Sequence, residues 1–252
     1  MTTLPHSSLP SPPPIVGVQP DRQGQVQATM PPALEALGIK KSYRIGDQCR
    51  LVLDGIDFRI DRGETVFLSG PSGSGKSTLL SIMGFLLSKD EGELFLDGVR
   101  VDGLDEVGRT SIRRERIGFV FQRFQLIQGL SAEDNVAIPL TLDRMGLAEA
   151  RAHAGELLAR VGLADHRHAL PSAMSPGQCQ RVALARAVIA RPNLILADEP
   201  TAALDGDSGR AVMELLRELT AGSSAATVVV THDPRILPFA DRVCEMENGR
   251  FK

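Results

Sequence analysis

The sequence predicts an α/β fold: a mostly parallel core sheet with helices on both faces, and an antiparallel β portion near the N-terminus. Two patterns predict it. Strand-sized apolar runs alternate with helix-length amphipathic stretches, most plainly over Leu194–Ala197, Gly206–Thr220 and Ala226–Val230, which is βαβ order. Nearer the N-terminus, short apolar runs instead flank Asp-Gly pairs at 54–55 and 97–98, the residues that close antiparallel hairpins. A chain of 252 residues can bury a core of this kind.

The elements follow in order. Residues 1–32 hold eight of the 16 prolines and only two charged groups, Asp21 and Arg22. That composition buries too little apolar surface to offset ordering entropy, so a disordered, partly polyproline extension is expected, with one domain over 33–252. Order begins near Leu34. Arg50–Leu53 and Ile56–Ile60 read as short strands around the Asp54-Gly55 turn, and Thr65–Ser69 as a buried strand. A glycine-rich loop and a helix from about Ser77 to Gly84 come next. Leu94–Leu96 and Val99–Val101 form a second hairpin, and Ile117–Phe121 is a strand. From Ser131 to Val161 the pattern is mainly helical, broken by Pro139, and Gly177–Ala190 is a further helix. A helical subdomain is therefore expected over about 123–190.

Composition narrows the function. The net charge of −3 and pI of about 6.0 argue against nucleic acid as the main partner, since phosphate backbones need a basic face. Cys49, Cys179 and Cys244 lie far apart without a CxxC pair, which speaks against a disulfide framework or structural zinc. His166 and His168 have no acid or cysteine at ligand spacing. No run approaches the ~18 apolar residues of a membrane span, and the N-terminus lacks the basic start and apolar core of a leader. The chain is expected to stay where it is made, reaching a membrane only through a partner.

Gly70-Pro71-Ser72-Gly73-Ser74-Gly75-Lys76-Ser77-Thr78 fits G-x-x-x-x-G-K-[ST] between a strand and a helix. Glycines let backbone N–H groups converge on an anion without Cβ clashes, and the helix adds its positive end. Lys76 can reach the β- and γ-phosphate oxygens, and the Ser77 hydroxyl can ligate Mg²⁺. The run Leu194–Ala197 ends in Asp198 and Glu199. Acids at the C-terminal edge of a parallel strand lie near such a loop. Asp198 is placed to hold Mg²⁺, and Glu199 to orient or deprotonate the water that attacks the γ-phosphate.

Between these elements lies Met174-Ser175-Pro176-Gly177-Gln178-Cys179-Gln180-Arg181, which resembles the Leu-Ser-Gly-Gly-Gln signature of ATP-binding-cassette ATPases, a P-loop NTPase family. The resemblance continues in order. Gln122 looks like the family's Q-loop glutamine, Ala203-Leu204-Asp205 like its D-loop, His232 like its switch histidine, and Tyr43 like the aromatic that stacks on adenine. It implies ATP and Mg²⁺ as ligands, with Ser77, Gln122 and Asp198 toward the metal. It also implies that Ser175, Gly177 and Gln178 contact nucleotide on an opposite subunit, a homodimer partner or sister ATPase, and that Asp205 links the two sites. His232 would contact the γ-phosphate, making Lys76, Gln122, Glu199 and His232 the catalytic set. Ser175 can also cap the helix beginning at Pro176–Gly177.

Met174 replaces the usual leucine and Pro176 the first signature glycine. Proline removes an N–H donor, yet it suits the first helical position. Residues flanking the phosphate loop, Gln122 and the Asp198-Glu199 pair are similar to a branch containing lipoprotein-release, macrolide-export and heterocyst-glycolipid-export ATPases. That similarity implies an integral membrane permease with a large extracytoplasmic domain as partner, an export or mechanical transmission role, and a position on the cytoplasmic face of the inner membrane. Phe124, Leu126, Ile127 and Leu130 could receive a short permease helix, or form ordinary core. A soluble iron–sulfur assembly ATPase is the alternative. About 100 residues separate Lys76 from Ser175 without a heptad run, which argues against a repair-type cassette with a coiled-coil insertion.

Overall fold

A computed structural model of the protein describes residues 30–46 and 48–252. All but the last three residues of the proline-rich extension lie outside this range.

The chain builds two sheets. Strands β1 (Leu34–Ile45), β2 (Gln48–Ile60), β4 (Glu91–Leu96) and β5 (Val99–Arg100) form an antiparallel sheet in the order β2-β1-β4-β5. Strands β3 (Thr65–Ser69), β6 (Ile117–Val120), β7 (Leu194–Asp198), β8 (Ala226–Val230), β9 (Arg242–Glu247) and β10 (Arg250–Phe251) form the second, in the order β10-β9-β3-β8-β7-β6. Every pairing in it is parallel except β9 with β10. The helices are α1 (Lys76–Met83), α2 (Glu106–Arg116), α3 (Ala132–Leu142), α4 (Leu147–Arg160), α5 (Pro176–Val188) and α6 (Gly206–Thr220).

The central strands are apolar without alternation because both faces are covered. Leu68, Leu196 and Val228 point to one side, where they pack with α1 residues Leu79 and Met83 and with Leu34, Ile39 and Leu53 of the antiparallel sheet. Their neighbours Phe67, Ile195 and Val229 point the other way, against Leu184 of α5 and Val212 and Leu216 of α6. A third cluster joins α3, α4 and α5 through Val136, Ala154, Leu158 and Val182. Helix α5 serves both of the last two clusters, so it ties the helical layer to the parallel sheet. Each fully buried large aliphatic side chain contributes ~1.5–3 kcal/mol.

Two local expectations are corrected. Asp54-Gly55 is no turn: β2 runs straight through it, with Gly55 at φ +69° beside a register shift opposite Ile39 and Lys41. The pair makes a bulge, and the hairpin closes where Ile45 meets Gln48. Pro139 lies inside α3, and the helix ends only after Leu142. Three further elements lack an unbroken apolar run. Strand β1 starts at the expected onset of order, β9 is mostly exposed, and α2 buries no residue. Helix α2 is instead capped by Asp105, whose carboxylate accepts from Gly108 N, and laced by the Arg113–Glu106 ion pair.

Candidate active site

The phosphate loop connects the end of β3 to the start of α1. Gly70 has φ +132°, and a Cβ there would lie 2.1 Å from the Met246 carbonyl oxygen. Gly75 has φ +105°, and its Cβ would meet Leu53 Cδ2 at 2.7 Å and Val52 O at 2.9 Å. Both positions require glycine, for conformation and for space. Lys76 is buried, and its ammonium donates to Gly70 O at 2.8 Å and Pro71 O at 2.9 Å. Its charge is thus held at the mouth of the loop.

Strand β8 separates β3 from β7, yet the C-terminal ends of all three open on the same side of the sheet. That places Asp198 beside α1, where its Oδ1 accepts from the Ser77 hydroxyl at 2.9 Å. Burial, reinforced by the charge of Glu199, holds the Asp198 carboxyl above the usual range. An oxygen pair of this kind, with a carboxylate short of positive charge, fits a hard divalent cation.

Glu199 follows in the left-handed region at φ +49°, which costs a non-glycine residue about 1 kcal/mol. Its N–H donates to Val230 O at 2.9 Å, pinning this bend to β8. Its Oε1 lies 2.7 Å from His232 Nδ1, and only 16 % of the glutamate side chain is exposed against 70 % of the histidine. An ionised carboxylate only accepts, so Nδ1 carries the ring proton and Nε2 is left for another partner.

One cleft of about 740 Å³ gathers most of these residues, with Asp198 joined to it through Ser77. Tyr43, Gly70, Ser72, Gly73, Gly75, Lys76, Ser77, Thr78, Gln122, Glu199 and His232 line it. Ser74 is buried within the loop, its hydroxyl 3.3 Å from Lys76 Nζ. Sequence reasoning missed Arg50 and Val52, which form the wall beside Tyr43. Their signal was a β pairing, Arg50 opposite Tyr43, that no local motif announces.

The remaining expected residues are not in this cleft. Ser175 caps α5: its hydroxyl accepts from Gln178 N at 3.3 Å, and Gln178 Oε1 accepts from Ser175 N at 2.8 Å. This reciprocal box leaves Pro176 at the first helical position, where its missing N–H has no intrahelical acceptor to lose. A Cβ on Gly177 would meet nothing within 4 Å, and the residue is not left-handed. Nothing among the described residues asks for glycine there. Asp205 caps α6, accepting from Ser208 N at 2.9 Å; that bond holds its carboxyl below the usual range.

Arg186 of α5 was also missed. It donates to Gln125 O at 2.6 Å and Phe124 O at 2.7 Å, fixing two residues that are both left-handed, just after Gln122. Of the apolar residues in that segment, Leu126 is core of the helical layer, Phe124 packs on it, and Ile127 is half exposed.

Comparison with known proteins decides the family. Residues 53–202 match the ABC transporter family model. The chain belongs to the ABC transporter family. It is 44 % identical over 219 residues to the lipoprotein-releasing system ATP-binding protein LolD of Bordetella avium, covering 87 % of this chain and 95 % of that protein. LolD 1 of Caulobacter vibrioides gives 44 % over 219 residues, with 86 % and 94 % covered. Among solved structures, the dimeric post-hydrolysis state of the cassette MJ0796 bound to ADP and Pi aligns with TM-score 0.81 at 39 % identity, covering 87 % of this chain and 96 % of that one. The protein is an ABC transporter ATPase subunit that binds and hydrolyses ATP, as these matches and the cleft agree, and the soluble assembly-ATPase alternative is set aside. No helix among the described residues is long and apolar enough to cross a membrane.

Proposed function

We propose that two cassettes, residues 33–252 with a helical subdomain over about 123–190, close head to tail around two ATP molecules and so drive a separate permease. The observation that carries this is the divided site. The phosphate loop, Glu199 and the switch histidine share one cleft, with Asp198 bonded to Ser77 of its lining, while Ser175 and Gly177 lie outside it and a Cβ on Gly177 would meet open space. A second copy or a sister ATPase placed across a twofold axis supplies the missing wall.

Each residue then has a physical task. Tyr43 stacks on adenine. The loop N–H groups, Lys76 and Thr78 hold the phosphates, and closure brings the capped α5 N-terminus to the γ-phosphate of the partner copy. Glu199 takes the proton of the attacking water, and His232 donates a ring N–H to the γ-phosphate, whose oxygens only accept. Asp205 and its cap sit where the two sites meet. Ser77 and Asp198, with Gln122 lining the same cleft, would hold Mg²⁺, which when bound would supply charge neutralisation at the phosphates. Gln122 and the segment locked by Arg186 pass closure to the permease; Arg123 and Ile127 form its exposed rim. The likeness to the lipoprotein-releasing system protein LolD supports lipoproteins as cargo; the branch resemblance of the motifs supports a permease with a large extracytoplasmic domain and work on the cytoplasmic face of the membrane.

The test is size-exclusion chromatography of Glu199→Gln with ATP. A stable dimer is expected, with Lys76→Ala remaining monomeric. Monomers with unaltered turnover in the glutamine variant would remove Glu199 from its role.

A further inference from the structure

The cap on α5 has a support from outside the helix. A backbone N–H only donates, so the bond from Ser175 N fixes the Gln178 amide with Oε1 toward Ser175. Its Nε2 is then the end that meets His166 Nε2, at 3.0 Å. An amide NH₂ also only donates. His166 Nε2 must therefore accept, and the ring proton sits on Nδ1.

His166 is itself held. It ends a short 3-10 turn (Ala164–His166), where its N–H donates to Leu163 O at 3.0 Å and its carbonyl accepts from Ala169 N at 2.9 Å. The following residues are pinned to the start of α3. Ala132 N donates to Ala169 O and Glu133 N to Arg167 O, both at 2.9 Å. The Glu133 carboxylate, only 4 % exposed as a residue, takes the Arg167 guanidinium at 2.5 Å. Asn135, fully buried two residues further on, bonds to the backbone of Ile127 and Leu130. The histidine acceptor thus stands on a frame continuous with the segment after Gln122.

We propose that His166 is a positioning residue for the signature segment: through Gln178 it fixes the Ser175 cap, so that Ser175 and Gly177 keep the geometry that meets the partner copy's triphosphate. This rests on the reading above that those two residues face the partner's nucleotide. His166 lines no part of the ATP cleft, so it acts on closure and leaves the first ATP contact alone.

The experiment uses the full chain carrying Glu199→Gln. The variants are His166→Phe, a ring without an acceptor; His166→Gln, whose amide oxygen replaces Nε2; and His166→Asn, whose oxygen falls at the Nδ1 position. Ser175→Ala is run beside them. The ATP concentration for half-maximal dimerisation is read by analytical ultracentrifugation. Binding of a fluorescent ATP analogue to monomers is read separately.

Loss of one acceptor bond is expected to raise the half-maximal ATP concentration roughly tenfold in His166→Phe and His166→Asn, with His166→Gln within about threefold of the parent. Analogue binding stays unchanged in all three. If Ser175→Ala weakens dimerisation and His166→Phe does not, His166 has no such role. The same follows if His166→Gln is as weak as His166→Asn, a comparison that stands even where the phenylalanine variant fails to fold. If Ser175→Ala dimerises like the parent, the cross-subunit assignment fails instead.

Discussion

Replacing Gly177 by alanine separates what the signature segment does for folding from what it does for closure. Gly177 is the second residue of α5; its φ is not left-handed, and a Cβ would meet no heavy atom within 4 Å. Within the single chain the substitution is therefore unstrained. Removing glycine's freedom from the unfolded state stabilises by about 0.4–1 kcal/mol. For a chain of this size, each kilocalorie raises the melting temperature by roughly 2–4 °C. The nucleotide-free variant should thus melt a degree or more above the parent. If Gly177 is where a partner's phosphate comes close, the same methyl group blocks closure. A cost of about 1.4 kcal/mol per site is a factor of ten, and two sites per dimer make roughly a hundredfold. Calorimetry of the nucleotide-free protein and ATP-driven dimerisation in the Glu199→Gln background measure the two effects. A variant that dimerises at the parent's ATP concentration would refute the argument, because the open space before Gly177 would then have no occupant that matters.

Other outcomes follow from the same geometry. Gly70→Ala sets a Cβ 2.1 Å from the Met246 carbonyl oxygen at a left-handed position, so a loss of about 2 kcal/mol or more is expected in denaturant melts, along with ATP binding. Asp198→Asn removes a carboxylate whose ionisation burial opposes, and should stabilise the nucleotide-free protein at neutral pH while abolishing the Mg²⁺-dependent part of ATP binding. The sign follows from the raised pKa: the wild-type penalty is absent below the ordinary carboxylate range and complete only above the folded value. The stability gap between the two proteins should therefore open as pH rises through that window. Arg186→Ala frees the carbonyls of Phe124 and Gln125 and should lower transport-coupled more than permease-free ATPase activity, checked with the copurified permease in vesicles. Pro176→Gly restores an N–H that has no intrahelical acceptor, so nucleotide-free stability should fall by less than about 1 kcal/mol. Activity appearing only in that variant would mean the native signature is inactive.

The phosphate loop, the acid pair and the signature could be read from residue order because each is a local device. A tight anion-binding turn needs glycines at fixed spacing, a buried parallel strand needs an unbroken apolar run, and a helix start needs a capping residue. These requirements are satisfied within a dozen residues and leave their mark there. Tertiary structure alone decided what depends on distant partners. Arg50 became a wall of the ATP cleft through its pairing with Tyr43, and Gly55 became a bulge because the facing strand shifts register. Arg186 reached carbonyls 61 positions earlier in the chain, and His166 met Gln178 because the turn before α5 is tied to α3. Such contacts are set by packing between elements, whose energy is spread over many side chains and carries no spacing rule that a sequence could display.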